Sequence, residues 1–229
     1  RRSSDLLVRI EIGSVRLVMS VRESDLAVID LAKLRIAAAD SGVTLLGATS
    51  LELASEAEKS KKALAAASVS LLAWEKTLPN GRWMGRPEQD NIEARFQLDT
   101  SSTVLLGEPG SGKSALLSKI ASDLLNQGAT VFALKADFLS TDVRTEPDLQ
   151  RELQLPAPPS ELIVRLAALQ PVFVFIDQLD ALASQLDLRS GRLNVLLNLV
   201  RRIGGIPNVH VLLSARTFEI NHDVRLRAV

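Results

Sequence analysis

The sequence predicts an α/β fold in which helices cover both faces of a parallel sheet, preceded by a mainly helical N-terminal region. Two observations indicate this fold. From about residue 83 onward, apolar runs too short for helices alternate with segments of helical periodicity. A glycine-rich octapeptide joins the first of these runs to the first helical segment. The predicted domains are therefore residues 1–80, an extension or spacer, and residues 83–229, a three-layer core.

The N-terminal region, residues 1–80, shows no pattern typical of a catalytic site. Two nearly alternating apolar segments flank the Gly-Ser dipeptide at 13–14 and favour a short hairpin, although a helix through residues 17–35 fits them as well. Residues 24–39 are predicted as a helix capped by its first serine, and residues 51–78 as a long helix rich in Ala, Glu and Lys. We expect a spacer role for this region.

The predicted core consists of short strands and helices separated by Gly- and Pro-containing breaks. In chain order these elements are a strand at Ser102–Leu106, a helix at 113–127, a strand at Ala129–Leu134, a short helix at 147–153, a helix capped by Ser160, a strand at Val172–Ile176, a helix at Arg192–Ile203 and a strand at Val209–Leu213. The five-residue apolar strands are typical of a buried parallel sheet.

Composition excludes several classes of function. The 229 residues are 46% hydrophobic and 24% charged, with 27 basic and 27 acidic residues, so no net field favours nucleic acid or an acidic membrane. The absence of cysteine excludes disulfides and thiolate zinc sites. No apolar run is long enough to span a bilayer, and we expect a cytoplasmic protein without a membrane partner.

The glycine-rich octapeptide, Gly107–Ser114, reads GEPGSGKS and matches the phosphate-loop pattern G-x-x-x-x-G-K followed by Ser or Thr. Its backbone N–H groups can cradle phosphates, Lys113 can reach the β- and γ-phosphates, and the Ser114 hydroxyl can bind Mg²⁺. A glycine-rich turn with a solvated lysine is the alternative, but the strand before it and the helix after it favour a P-loop NTPase that binds ATP or ADP. The expected nucleotide-binding residues are Gly107, Glu108, Pro109, Gly110, Ser111, Gly112, Lys113, Ser114 and Ala115.

Acidic and basic residues follow two later strands of the core. Asp177, directly after Val172–Ile176, is predicted to bind Mg²⁺ together with Ser114, and Asp180 to orient or activate the attacking water. Arg216 follows the next strand and could stabilise charge on the γ-phosphate. The alternatives are a helix start for the two acids and an ordinary surface position for the arginine. The predicted catalytic residues are thus Lys113, Asp180 and Arg216.

These motifs together resemble the STAND class of signal-transduction ATPases, especially its NACHT-like members. The resemblance rests on Gly107–Ser114, on Phe173–Asp180 with its D-x-x-D pair, and on Leu212–Arg216. Ordinary AAA+ proteins usually place Glu after the Mg²⁺-binding Asp, whereas this chain has Gln178. Residues 83–88, Trp-Met-Gly-Arg-Pro-Glu, are similar to the element that opens such modules near the adenine, which adds Arg86 to the expected nucleotide-binding residues.

The resemblance implies both a topology and a function. The fourth core strand should insert between the first and the third, which is the ASCE-type order. The module should be a slow, regulatory ATPase of a signalling or defence protein, closed with ADP and assembling with ATP. Its partners would be the nucleotide, further copies of itself, and sensor and effector modules outside this chain. Because the chain stops before a fifth strand, we expect the core to be truncated at its C-terminus.

Two other functions fit the same core. An AAA+-like remodeller or a P-loop kinase would use the phosphate loop for steady turnover. A nucleotide-binding scaffold would not hydrolyse ATP at all, and replacing Asp180 would then leave its function unchanged.

Overall fold

The computed structural model of the protein describes residues 5–12, 15–22, 50–77, 80–183 and 191–218. The chain divides into two compact units, Arg1–Lys59 and Ser60–Val229. The division expected from the sequence at residues 80–83 stays a prediction. None of the helices in the described ranges is both long and apolar enough to cross a membrane.

The first unit contains an antiparallel hairpin of β1 (Asp5–Ile12) and β2 (Val15–Arg22), with Ile12 opposite Val15. The predicted hairpin is confirmed and is longer than its apolar core suggested. The alternative of a helix from residue 17 is wrong for residues 17–22, because these residues pair with β1. The predicted helix at 24–39 lies outside the described residues.

The long helix predicted at 51–78 is two helices, α1 (Ser50–Ala67) and α2 (Val69–Leu72). The break falls at the fully buried Ser68, whose hydroxyl donates to the Leu64 carbonyl at 2.6 Å and accepts the Ala133 N–H at 2.8 Å. A serine that hydrogen-bonds one turn back competes with the helical ladder and favours a bend. The prediction of a single helix is therefore wrong beyond Ala67, since a contact distant in sequence ends it.

The second unit is built on a parallel sheet of β3 (Ser101–Leu106), β4 (Thr130–Lys135), β5 (Val172–Asp177) and β6 (Val209–Ala215). Among the described residues the strand order is β3-β6-β5-β4, and every neighbouring pair is parallel. The fourth strand of the core thus lies between the first and the third. The α/β class and the strand order that the resemblance implied are both confirmed.

Helices pack on both faces of this sheet. The described helices of the core are α3 (Pro87–Arg95), α4 (Lys113–Asn126), α5 (Glu146–Glu152), α6 (Pro159–Ala167) and α7 (Arg192–Ile203). Leu116, Leu117 and Ile120 of α4 pack in one cluster with Phe173 and Phe175 of β5. Side chains of successive strand residues point to opposite faces. The other face carries α7, which borders a cavity with Val211 and Leu213.

Two helix starts show how local chemistry sets these elements. Thr145 begins α5 with a capping box, since its hydroxyl accepts from the Asp148 N–H while Asp148 accepts from the Thr145 N–H. The predicted cap at Ser160 is wrong, because α6 already begins at Pro159. Proline suits the first position of a helix, where its fixed φ is helical and its missing N–H is not needed.

Candidate nucleotide-binding site

The glycine-rich loop lies between the end of β3 and the start of α4, as the motif requires. Gly112 is the residue before α4 and has a φ of +82°, a left-handed conformation that favours glycine. A Cβ on Gly112 would also lie 2.2 Å from Nη2 of Arg86. The backbone conformation therefore favours glycine at this position, and a larger residue would also displace the Arg86 guanidinium.

Lys113 folds back onto the loop that precedes it. Its Nζ donates to the Gly107 carbonyl at 2.7 Å and to the Glu108 carbonyl at 3.0 Å. These two carbonyls hold the ammonium inside the loop. Phosphate oxygens bound in the loop would compete with the carbonyls for the N–H donors of Lys113. The lysine is thus oriented toward the interior of the loop rather than toward solvent.

Arg86 braces the loop from the other side. Its Nη1 donates to the Ser111 carbonyl at 2.6 Å, and its backbone directly precedes Pro87, the first residue of α3. The resemblance had placed this residue near the adenine. The structure places its guanidinium against the phosphate loop, and a direct contact with nucleotide stays a prediction.

Asp177 is the last residue of β5 and its side chain is fully buried. One carboxylate oxygen, Oδ1, accepts a hydrogen bond from the Ser214 hydroxyl on β6. The other, Oδ2, lies 3.1 Å from Nζ of Lys135, which is also fully buried. A buried charge is costly unless it is paired, and both oxygens of this acid have a partner.

Lys135 is a residue that the sequence analysis missed. It ends β4, where it lies opposite Asp177 in the parallel register. Its Nζ is 3.7 Å from Asp137 Oδ1 and 4.0 Å from the centroid of the Trp74 ring. In the amide orientation of Gln178 that satisfies both of its polar atoms, the amide nitrogen donates to Asp137 Oδ2 and the amide oxygen accepts from Lys135 Nζ at 3.3 Å. A lysine directly after an apolar strand was the available signal, but its partner depends on which strands are neighbours.

Asp180 and Arg216 form an ion pair beside this cluster, with 3.2 Å between Asp180 Oδ2 and Arg216 Nε. Asp180 lies in the 3₁₀ turn Leu179–Ala183 and is buried, whereas the Arg216 side chain is about half exposed. Burial raises the pKa of the Asp180 carboxyl, and this shift is opposed by backbone hydrogen bonds and by the positive charges of Arg216 and Lys113.

The donor set fits Mg²⁺. Ser114 is on the first turn of α4 and supplies a hydroxyl, and Asp177 supplies a carboxylate with lone pairs beyond those already used. Mg²⁺ is typically bound by one or two carboxylates, waters and substrate phosphates rather than by a cage of protein ligands. Within the described ranges no group of three or more His, Cys, Asp or Glu residues could hold a metal.

Comparisons with known proteins identify the family to which the chain belongs. The family model of the NACHT domain matches residues 101–227, more than half of the chain. The chain therefore contains a P-loop NTPase module that binds nucleotide. It belongs to the NACHT family, within the STAND class, so the resemblance seen in the motifs is confirmed.

The remaining comparisons add little. No curated protein matches the chain. One similar solved structure is a complex of HORMA, CdnC and Trip13 from E. coli MS115-1, with 18% sequence identity and a TM-score of 0.32. The similarity covers 76% of this chain and 58% of that chain, so it spans less than two thirds of the solved protein. A TM-score of 0.32 is too low to indicate a common mechanism.

Proposed function

We propose that this chain is the ATP-binding, slowly hydrolysing switch module of a signalling or defence protein. The observation that supports this proposal is that three charged residues follow or end neighbouring strands of the sheet. Lys113 follows β3, Asp177 ends β5, and Arg216 follows β6. Ligands of open parallel sheets bind at this edge, where the strands present their carboxyl ends.

Nucleotide binding is proposed to begin at the phosphate loop. The backbone N–H groups of the loop, except at Pro109, which has none, and the N-terminus of α4 supply a positive field for the phosphates. Lys113 exchanges the carbonyls of Gly107 and Glu108 for phosphate oxygens, which carry more negative charge. This exchange favours the complex because the ammonium is attracted more strongly to anionic phosphate oxygens than to neutral carbonyl oxygens.

Ser114 and Asp177 are proposed to hold Mg²⁺, which when bound offsets the charge of the phosphates. Both Asp177 oxygens already accept from protein donors, Ser214 and Lys135. The remaining lone pairs of Asp177 therefore suit a contact through water better than direct displacement of these donors.

Asp180 is proposed as the group that accepts a proton from the attacking water. Its burial raises the carboxyl pKa and makes it a better proton acceptor than a solvated aspartate. Its ion pair with Arg216 opposes this effect and occupies one of its oxygens. A proton acceptor that is already paired with an arginine is consistent with slow turnover. Because Arg216 uses its Nε for this ion pair, its terminal nitrogens can still stabilise charge on the γ-phosphate.

In this proposal ADP favours a closed state and ATP an assembling state. To move a protein from mostly closed to mostly open, ATP must bind the open state more tightly by several kcal/mol. Sensor and effector modules outside this chain, self-association, a spacer role for residues 1–80 and a cytoplasmic location belong to the same proposal.

Titration calorimetry of the parent chain with ATP and ADP in the presence of Mg²⁺ tests binding, and a single-turnover assay tests hydrolysis. We expect Asp180→Asn to retain binding and to slow hydrolysis by roughly a hundredfold, within the usual contribution of general-base catalysis. Equal single-turnover rates in the parent and the variant would reduce Asp180 to a structural role. Rapid, steady turnover by the parent would instead support a remodeller.

A further inference from the structure

A buried lysine connects the predicted Mg²⁺-binding acid to a segment that precedes the NACHT domain. The Lys135 ammonium lies 3.1 Å from Asp177 Oδ2 on one side and 4.0 Å from the Trp74 ring centroid on another. A cation over an indole face is attracted by the ring's quadrupole. One charged group therefore touches both the acid and the tryptophan.

The segment that carries this tryptophan, Ser68–Trp74, is attached to two elements of the site. Ser68 accepts a hydrogen bond from the Ala133 N–H on β4, the strand that ends in Lys135. The Ser118 hydroxyl on α4 donates to the Trp74 carbonyl at 3.2 Å. Since α4 begins at the phosphate loop, the segment contacts both the strand with the lysine and the helix that follows the loop.

The surroundings of Lys135 give its ammonium a second position to occupy. Asp137 Oδ1 lies 3.7 Å from Nζ and the Asp137 side chain is partly exposed, whereas Asp177 is fully buried. Two carboxylates, those of Asp177 and Asp137, thus lie within ion-pair distance of a single ammonium. The group of Lys135, Asp137 and Asp177 therefore has more negative than positive side chains and can bind a further cation. For Asp177 to bind that cation, the Lys135 ammonium must move partly away from the Asp177 carboxylate.

We propose that Lys135 is a positioning residue that holds Asp177 when Mg²⁺ is absent and transmits the binding of Mg²⁺ with nucleotide to Ser68–Trp74 through the Trp74 ring. This inference rests on the proposed nucleotide-binding function. In the free protein Lys135 neutralises a buried carboxylate that would otherwise be unpaired. With Mg²⁺ and nucleotide bound, Lys135 shifts toward Asp137 because like charges repel. The Trp74 indole then loses or gains contact with the ammonium.

The first test compares ADP affinity with Mg²⁺ and with EDTA in the parent, Lys135→Met and Lys135→Arg, by titration calorimetry. Methionine keeps the linear shape of the side chain and removes the charge. We expect the enhancement of ADP affinity by Mg²⁺ to be roughly tenfold larger in Lys135→Met than in the parent. Lys135→Arg and a surface control, Lys119→Met, should retain the parent ratio. If Lys135→Met changes both affinities by the same factor, the inference is overturned.

A second test does not depend on the folding of Lys135→Met. Tryptophan emission is followed while Mg²⁺ is added to the ADP-bound parent and to Trp74→Phe, which retains Trp83. We expect a change in the parent that Trp74→Phe abolishes, while calorimetry shows that both bind ADP. An equal change in both proteins, or none in the parent, overturns the inference but leaves the proposed function standing. A folded parent that does not bind ADP overturns both.

Discussion

Replacing Lys113 by alanine removes a positive side chain that the structure places inside the phosphate loop. In the free protein its ammonium donates to two loop carbonyls, at 2.7 and 3.0 Å, and in the complex we expect it to donate to phosphates. A hydrogen bond that involves a charged group contributes about 1.5–3 kcal/mol, and the ammonium is attracted more strongly to an anionic phosphate oxygen than to a neutral carbonyl oxygen. Lys113→Ala also removes the two loop contacts of the free protein. The loss of binding free energy is therefore the difference between the lysine's contacts in the complex and its contacts in the free protein.

With the phosphate contacts near the upper end of this range and the carbonyl contacts near its lower end, Lys113→Ala should lose about 1.5 kcal/mol of binding free energy, or roughly tenfold in Kd. Titration calorimetry with Mg²⁺ and ADP measures this value directly. Lys119→Ala is the matched control, since Lys119 lies on the same helix but pairs with Asp123 at 2.6 Å on its partly exposed face. Surface pairs of this kind contribute little, and ADP affinity should be unchanged. A Lys113→Ala protein that is folded and binds ADP within about twofold of the parent would refute the phosphate-loop assignment.

Two further predictions concern the loop and the buried acid. Gly112→Ala and Gly128→Ala both place a side chain at positive φ, +82° and +83°, and each should lower the free energy of unfolding by about 1–2 kcal/mol in urea titrations. Only Gly112→Ala should also weaken ADP binding, because its Cβ displaces the Arg86 guanidinium. Gly128→Ala is the control, since a Cβ at Gly128 would have no atom within 4 Å. Equal ADP affinities of the two variants would show that Arg86 does not support the loop. For Asp180, the folded-state pKa is raised above 3.8, so its contribution to stability is present at low pH and is lost as pH rises through the folded-state pKa. The unfolding free energy of Asp180→Asn relative to the parent should therefore increase from about pH 4 to about pH 7 in urea titrations, and a constant difference would contradict the burial argument.

The sequence by itself predicted the elements whose causes are local. Helix α7 was predicted with the bounds that the structure has, because its apolar periodicity is uninterrupted until the glycine pair that follows Ile203. Strand β5 and helix α4 were also predicted to within a residue, since short apolar runs and helical periodicity are set within a few positions. These local signals, read together, were enough to indicate the family.

Errors and omissions arose where the cause is distant in sequence. The helix predicted to continue to residue 78 stops at Ser68, because that serine bonds to β4, some 65 positions later. Lys135 was passed over, because a lysine after a strand looks like a residue that reaches solvent. Its burial follows from the pairing of β4 with β5, which sets it opposite Asp177.

The tertiary structure also decided how the candidate site is assembled. The motifs indicated that Lys113, Asp177 and Arg216 belong together, but not that Arg216 pairs with Asp180 or that Lys135 pairs with Asp177. The spacing of a motif indicates which chemical groups a site contains. Which of these groups form ion pairs depends instead on the strand order and on which side chains are buried. The sequence therefore determined the class of protein and its phosphate loop, and only the packed sheet determined which buried charges neutralise one another.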